Sequence, residues 1–265
     1  MLELSSAQIA GWISAFLLPL FRIAALLMVM PIIGTQLVPQ RVRLYMALAI
    51  TLMLVPVLPA MPQVDALSLR SIILIAEQVL IGAMLGFSLQ LFFHIFVFAG
   101  QFISMQMGLG FASMMDPATG VSVPVLGQFL LTLVTLLFLA MNGHLVVFEV
   151  LVESFVTLPV GQSLDISSFA ILAGRLSWVM GAALLLAIPA VSALLVINIA
   201  FGVMTRAAPQ LNIFTIGFPL TLIMGLIIFW MSTADILAQY HNIATDALFM
   251  LRGLAQAHEE VGCYG

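Results

Sequence analysis

Long apolar stretches, separated by short segments that contain proline, glycine and polar residues, follow one another along the chain. A helix of about 20 apolar residues crosses the hydrocarbon core of a bilayer. The pattern therefore predicts six spans, at residues 9–33, 44–61, 71–103, 124–151, 169–200 and 213–238. Pro56, Pro189 and Pro219 lie inside these spans or near their ends and predict kinks. Because no long polar insertion separates the spans, we expect an all-α membrane protein with one membrane domain over residues 1–265.

The segment between the third and fourth spans, residues 105–119, is not compatible with a continuous helix. It reads MQMGLGFASMMDPAT and contains four methionines. Gly108 and Gly110 disfavour a helix interior, and Pro117 prevents a helix from running straight through. Non-helical backbone cannot face lipid, because its N–H and C=O groups would lack partners, so it is buried in protein or lines an aqueous cavity. We predict a loop here, with Asp116 capping a helix that begins at Pro117.

Several polar side chains interrupt the apolar spans. Such groups usually face a bundle interior or an aqueous cavity. We therefore expect four buried polar residues, Arg22, Glu77, Asn142 and Glu149. At about 100° per residue, Asn142, Glu149 and Glu153 share one face of a continuous fourth helix. This stripe either lines a conduit or contacts a neighbouring helix.

Small residues recur at intervals of four in the third span, at Gly82 and Gly86 and again from Gly100 to Gly108, and predict close approach of neighbouring helices. The last span continues as an amphipathic pattern to Leu254. A continuous helix from Gly217 to Leu254 would be about 57 Å long, well beyond a hydrocarbon core of about 30 Å. It either leaves the membrane and packs on partners or bends along the interface.

The composition agrees with a membrane protein: 63% of the residues are hydrophobic and 7% are charged, whereas about a quarter of a soluble domain is charged. The net charge of −4 gives no basic patch for nucleic acid. The single cysteine, Cys263, excludes an intramolecular disulfide and a cysteine metal cluster. The arginines divide equally between the two sides of the six-span arrangement, so their count does not determine the orientation.

The sequence contains no HExxH, GxSxG or phosphate-binding P-loop motif. The GLGFAS segment resembles a dinucleotide loop only superficially, because no strand is predicted before it. We therefore expect no enzymatic activity, no catalytic residues, no cofactor and no metal site. A channel or export subunit, a self-contained proton-coupled carrier and a pure assembly scaffold remain as alternatives, the carrier being motivated by Arg22, Glu77, His144 and Glu149.

Two motifs together carry a family resemblance: the methionine-rich segment 105–119 and residues 201–219, FGVMTRAAPQLNIFTIGFP. With them the chain resembles the FliR family, the flagellar counterpart of the SctT/SpaR-like export-gate subunits of injectisomes. The similarity covers nearly the whole chain and includes Arg22, Pro31–Gly34 and Asn142–His144.

The resemblance implies a subunit of a flagellar type III secretion export gate, in the basal body at the bacterial inner membrane. Such subunits assemble with FliP and FliQ into a closed gate that extends towards the periplasm, with FlhB and FlhA nearby. The substrates are unfolded flagellar proteins. The resemblance also implies a FliP-like part over residues 1–165, a FliQ-like helical hairpin over 166–258 and a tail over 259–265.

A plug loop at about residues 107–116 is also implied by the resemblance. Methionine suits a seal that re-forms around passing side chains, because it is unbranched and fills irregular gaps. The candidate plug residues are Met105, Met107, Gly108, Gly110, Phe111, Met114, Met115, Asp116 and Pro117, among which Phe111, Met114 and Met115 are expected to form the seal. The alternative is a static buried connector with methionine as filler.

The turn of the FliQ-like hairpin supplies candidate subunit contacts, Arg206, Pro209, Gln210 and Asn212. They are expected to contact FlhB or neighbouring gate subunits. A local structural role is equally compatible with the sequence: Arg206 would then cap a helix C-terminus while Asn212 begins the next helix.

Overall fold

A computed structural model describes residues 6–59, 61–62, 68–110, 113–115, 122–162, 166–207 and 217–256. Over these residues it contains seven α-helices and one short two-stranded ladder. The elements in chain order are α1 (Ser6–Val29), α2 (Gln40–Leu54), α3 (Leu69–Gln106), β1 (Ser113–Met115), β2 (Ser122–Pro124), α4 (Val125–Ala140), α5 (Gly143–Thr157), α6 (Ile166–Ala207) and α7 (Phe218–Gln256).

The helices support a membrane protein with fewer complete spans than the six predicted. In the described part of the chain, Leu69–Gln106, Leu172–Arg206 and Phe218–Gly253 are long and apolar enough to cross a bilayer. The bent pair α4 and α5 forms a fourth candidate if it is counted as one span. The second predicted span is only the 15-residue helix α2, because Pro39 precedes it and Pro56 follows closely.

The predicted continuous helix over residues 124–151 is wrong. α4 and α5 meet at an angle of 70°, and Asn142 lies at the break between them with φ of 57°. This left-handed conformation is one that asparagine adopts more readily than most residues. A side chain at Gly143 would meet the Phe138 ring at 2.5 Å, so glycine also fits the break. Asn142 therefore does not share a helix face with Glu149 and Glu153.

The chain folds into two compact units, each built from segments that are distant in sequence. One comprises Met1–Gln90, Phe138–Arg175 and Ala247–Gly265. Within it, a Cβ at Gly86 would lie 2.8 Å from the Cβ of Val29, and one at Gly82 would meet the backbone of Arg22. The predicted close approach along this part of α3 is confirmed, and its partner is α1.

The other unit comprises Leu91–Leu137 and Leu176–Asp246. Here a Cβ at Gly100 of α3 would lie 2.6 Å from the backbone of Gly127 in α4. The buried aromatic ring of Phe92 packs edge-on against Tyr240 of α7, with ring centroids 5.7 Å apart. Close backbone approach thus joins α3 to α4, and aromatic packing joins α3 to α7.

Candidate functional site

The helix α3 ends within the first residues of the methionine-rich segment, and Gly108 is the residue that stops it. The N–H of Leu109 donates to Ser104 O at 2.9 Å, and the N–H of Gly108 donates to Met105 O at 3.1 Å. Gly108 has φ of 79°. This is the hydrogen-bond pattern of a Schellman motif, which uses a glycine in the left-handed conformation to end a helix. Met105 thus belongs to the last turn of α3, where it is exposed, and the loop begins two residues later than predicted.

Met107 is fixed against α7 immediately before that stop. Its side chain is only 1% exposed. A Cβ at Gly225 would lie 2.6 Å from Met107 Cγ, so the absence of a side chain at position 225 makes room for the methionine. The ring of Phe218 lies beside Gly108, 3.0 Å from the position that a Cβ would take there. The start of the loop is therefore packed against one face of α7.

α6 contacts the same point of the chain through a hydrogen bond. Asn198 Nδ2 donates to the carbonyl oxygen of Gln106 at 3.3 Å. The last carbonyls of a helix have no intrahelical partners, so this contact satisfies one of them. Asn198 is a polar residue in an apolar span, a signal that could have marked it from the sequence. No sequence pattern comparable to this polar residue marked the contacts of Gly225 and Phe218 with the loop.

The return of the loop into α4 is a short antiparallel ladder that the sequence patterns did not predict. Ser113 pairs with Pro124, Met114 with Val123 and Met115 with Ser122. The second strand continues directly into α4 at Val125. Three-residue strands are too short to produce a recognisable alternating pattern. Three candidate plug residues, Phe111, Asp116 and Pro117, lie outside the described residues, together with the predicted cap.

A second polar site surrounds Arg22, which is fully buried. Its Nε donates to Gln78 Oε1 at 2.7 Å, Nη1 to Ser154 O at 2.7 Å, and Nη2 to Leu158 O at 2.8 Å. Its Cζ atom also lies 4.2 Å from the centroid of the Phe155 ring. The guanidinium is therefore held by neutral acceptors and an aromatic face.

The other three residues expected to be buried are not. Glu149 is exposed, and its Oε1 atom forms an ion pair with Arg252 Nη2 at 3.2 Å. Arg252 Nε lies 3.3 Å from Glu153 Oε2. Glu77 is half-buried, and its Oε2 has no hydrogen-bond partner within the described part of the chain. Asn142 is exposed because the helix break places it outside both helices.

The candidate subunit contacts can be followed only at Arg206, which is exposed in the last turn of α6. Pro209, Gln210 and Asn212 lie outside the described residues. In the described ranges, no group of three His, Cys, Asp or Glu side chains could hold a metal ion.

Comparison with known proteins identifies the family. Residues 13–247 match the family described as bacterial export proteins, family 1. Over 229 residues the chain is 43% identical to the flagellar biosynthetic protein FliR of Escherichia coli (strain K12), an alignment that covers 85% of this chain and 87% of that protein. The chain belongs to the FliR family of bacterial export proteins.

More distant relatives of the FliR family extend the similarity along the chain. The chain is 31% identical over 252 residues to FliR of Buchnera aphidicola subsp. Acyrthosiphon pisum, covering 95% of this chain and 97% of the relative. It is 27% identical over 244 residues to FliR of Bacillus subtilis (strain 168), covering 91% and 94%. The resemblance drawn from the two sequence motifs is confirmed, and with it a membrane protein of flagellar biosynthesis and protein export.

Proposed function

We propose that the chain is a non-enzymatic subunit of the flagellar type III export gate in the bacterial inner membrane. In this role it assembles with FliP and FliQ around a closed pore, with FlhB and FlhA nearby, and unfolded flagellar proteins pass through the open state. Membership of the FliR family supports the proposal. We propose as well that the chain divides into a FliP-like part over residues 1–165 and a FliQ-like hairpin over 166–258.

The length of the exposed apolar surface supports assembly with other subunits. On α6, exposed apolar side chains run from Leu176 to Val203, a distance of about 41 Å along the helix. On α7 they run from Phe218 to Leu237, about 28 Å, and a separate exposed ring follows at Phe249. A hydrocarbon core of about 30 Å does not cover the α6 stripe along its whole length. Partner subunits that pack against α6 would bury the remainder, as expected for a gate that extends out of the bilayer.

The loop after α3 is the proposed plug, and its base is the observation that carries this assignment. The chain leaves α3 at the Gly108 stop, with Met107 already fixed on α7, and returns through β2 directly into α4. The described parts of the segment between α3 and α4 are thus attached to packed helices at both ends. Methionines on such a loop can adapt to irregular surfaces while the base stays in place.

Arg206, Pro209, Gln210 and Asn212 are proposed to contact FlhB or neighbouring gate subunits. Arg206 is exposed at the end of α6, which leaves its guanidinium available to a partner. The proton-coupled carrier is not favoured, because Arg22 is hydrogen-bonded to the neutral groups of Gln78, Ser154 and Leu158. Glu149 takes part in an exposed ion pair instead of a buried relay.

Deletion of Gly110–Met114 tests the plug. The deleted chain is co-expressed with FliP and FliQ, and assembly is measured by co-purification and mass. We expect an assembled complex that lets ions and small molecules pass through the membrane. An assembled deletion variant as tight as the unmodified complex would refute the plug, and normal export without leakage would indicate a scaffold. Purified chain that supports uptake in liposomes without partners would instead indicate a carrier.

A further inference from the structure

Met107 packs against Gly225 of α7, and this contact gives both residues roles that the sequence does not suggest. Gly225 lies in the interior of the long apolar helix α7, where glycine is less favourable than alanine. A Cβ there would lie 2.6 Å from Met107 Cγ, 2.7 Å from Cε and 3.1 Å from Sδ. Three atoms of one methionine thus occupy the space that a side chain at position 225 would fill. The glycine forms a notch, and Met107 fills it.

Neighbouring contacts hold the same stretch of backbone. Asn198 of α6 donates its hydrogen bond to the Gln106 carbonyl, one residue before Met107. Phe218 of α7 lies against Gly108, one residue after it. Three consecutive residues of the loop base are therefore each held by the C-terminal pair of long helices.

Met107 differs from the other methionine of this region whose side chain is described. Met105 is 63% exposed at the end of α3, whereas Met107 is almost fully buried. A seal must contact whatever enters the pore, and a side chain enclosed in a helix notch cannot do so without leaving it. The buried position of Met107 suits a residue that holds the loop base in place and does not itself form the seal.

We infer that Met107 is a positioning residue, whose seat against Gly225 fixes the base of the plug loop on α7 and favours the sealed position of the loop. The inference rests on the proposed function of the loop as a plug. A displacement of α7 would be transmitted to the loop through this contact, because a side chain that fills a notch of fixed helix backbone moves with it.

Substitution of Gly225 by leucine tests the anchor in the assembled complex. The leucine side chain occupies the notch and displaces Met107, so we expect ion permeation to rise about tenfold, equivalent to about 1.4 kcal/mol in the balance between closed and open states. Met107→Ala alone also leaks, because the notch is then empty. The double variant Gly225→Leu/Met107→Ala returns towards the unmodified permeation, because the leucine fills the space that the methionine vacates.

Gly253→Leu is the matched control, since a Cβ at Gly253, which is also in α7, meets no atom within 4 Å in this chain. We expect it to stay sealed. Co-purification verifies assembly for each variant. If Gly225→Leu does not assemble, Gly225→Ala gives the same test, because even one methyl group at position 225 lies within 3 Å of Met107.

The Gly110–Met114 deletion, measured in parallel, separates the two proposals. If the deletion leaks and the Gly225 variants remain sealed, the anchor is wrong and the plug stands. If a leak caused by Gly225→Leu is not relieved by Met107→Ala, the contact between the two residues is not its cause, and the anchor is again wrong. If the deletion itself does not leak, the plug fails and the anchor with it.

Discussion

Arg22 donates a 2.8 Å hydrogen bond from Nη2 to the carbonyl oxygen of Leu158, the residue that follows the last turn of α5. Nη1 donates to Ser154 O in that same turn. The C-terminus of a helix carries a partial negative charge, so it is a favourable environment for a cation. Among the described residues no carboxylate is hydrogen-bonded to this guanidinium. One side chain of α1 thereby connects to the end of α5, and through Gln78 to α3.

Replacement of Arg22 by methionine should lower the free energy of unfolding by about 3 kcal/mol, because buried acceptors on Gln78, Ser154 and Leu158 lose a charged donor. Arg22→Lys should also be destabilising, since a single ammonium cannot reproduce the planar fork of donors. Denaturant unfolding of the purified chain in detergent measures both. The control is Arg206→Met, an exposed position, where a change within about 0.5 kcal/mol is expected. Equal losses at the two arginines would contradict the role assigned to Arg22.

Gly82→Ala should separate α1 from α3. The added methyl group would meet the carbonyl oxygen of Arg22 and lie 2.9 Å from Ala25 Cβ, and a backbone oxygen cannot move aside as a flexible side chain can. We expect a loss of about 1–3 kcal/mol, typical of overpacking, measured by the same unfolding experiment.

The matched control for Gly82→Ala is Gly181→Ala in α6, where nothing lies within 4 Å of the added methyl. There the substitution should be neutral or stabilise the helix by about 0.5–1 kcal/mol. A neutral result at Gly82 would show that α1 and α3 are not held in contact at this point.

The ion pairs of Arg252 with Glu149 and Glu153 should be weak. The Arg252 side chain is 40% exposed, and exposed pairs typically contribute about 0.2–1 kcal/mol. Arg252→Ala should therefore cost no more than about 1 kcal/mol, and the cost should fall as salt is raised because ions screen exposed charges. Unfolding at low and high ionic strength measures this, with Gly253→Ala as a neighbouring control. A larger loss that salt leaves unchanged would mean that this end of α7 is shielded from water.

Sequence patterns predicted what depends on local periodicity and spacing. The small-residue spacing at Gly82 and Gly86 predicted a close helix approach, which the structure places against α1. The acceptors of Arg22 were not predictable, because they lie 56 to 136 residues away along the chain. The break at Asn142 had a local signal, since Asn-Gly is a turn dipeptide. It was missed because apolar residues on both sides suggested a single span.

The loop shows the same division between local and non-local information. Glycines and methionines indicated a non-helical segment, and the Gly108 stop agrees with that expectation. The contact of Met107 with Gly225 required knowledge of which helix lies beside α3. A glycine inside an apolar helix is otherwise indistinguishable from one that packs against lipid or a partner. Sequence alone thus indicated where α3 gives way to a non-helical segment, but not which helix the first residues of that segment pack against.

Gly108→Ala and Gly110→Ala should differ, although the sequence suggests equal roles for the two glycines. Only Gly108 combines a left-handed backbone with a tight contact; the nearest atom to a Cβ at Gly110 is Met105 Cγ at 3.7 Å. A non-glycine residue in the left-handed region costs about 1–2 kcal/mol. Gly108→Ala should therefore destabilise the α3 stop and increase permeation of the assembled complex, whereas Gly110→Ala should leave both unchanged. Equal effects would mean that flexibility throughout the loop, and not the Gly108 turn, controls its position.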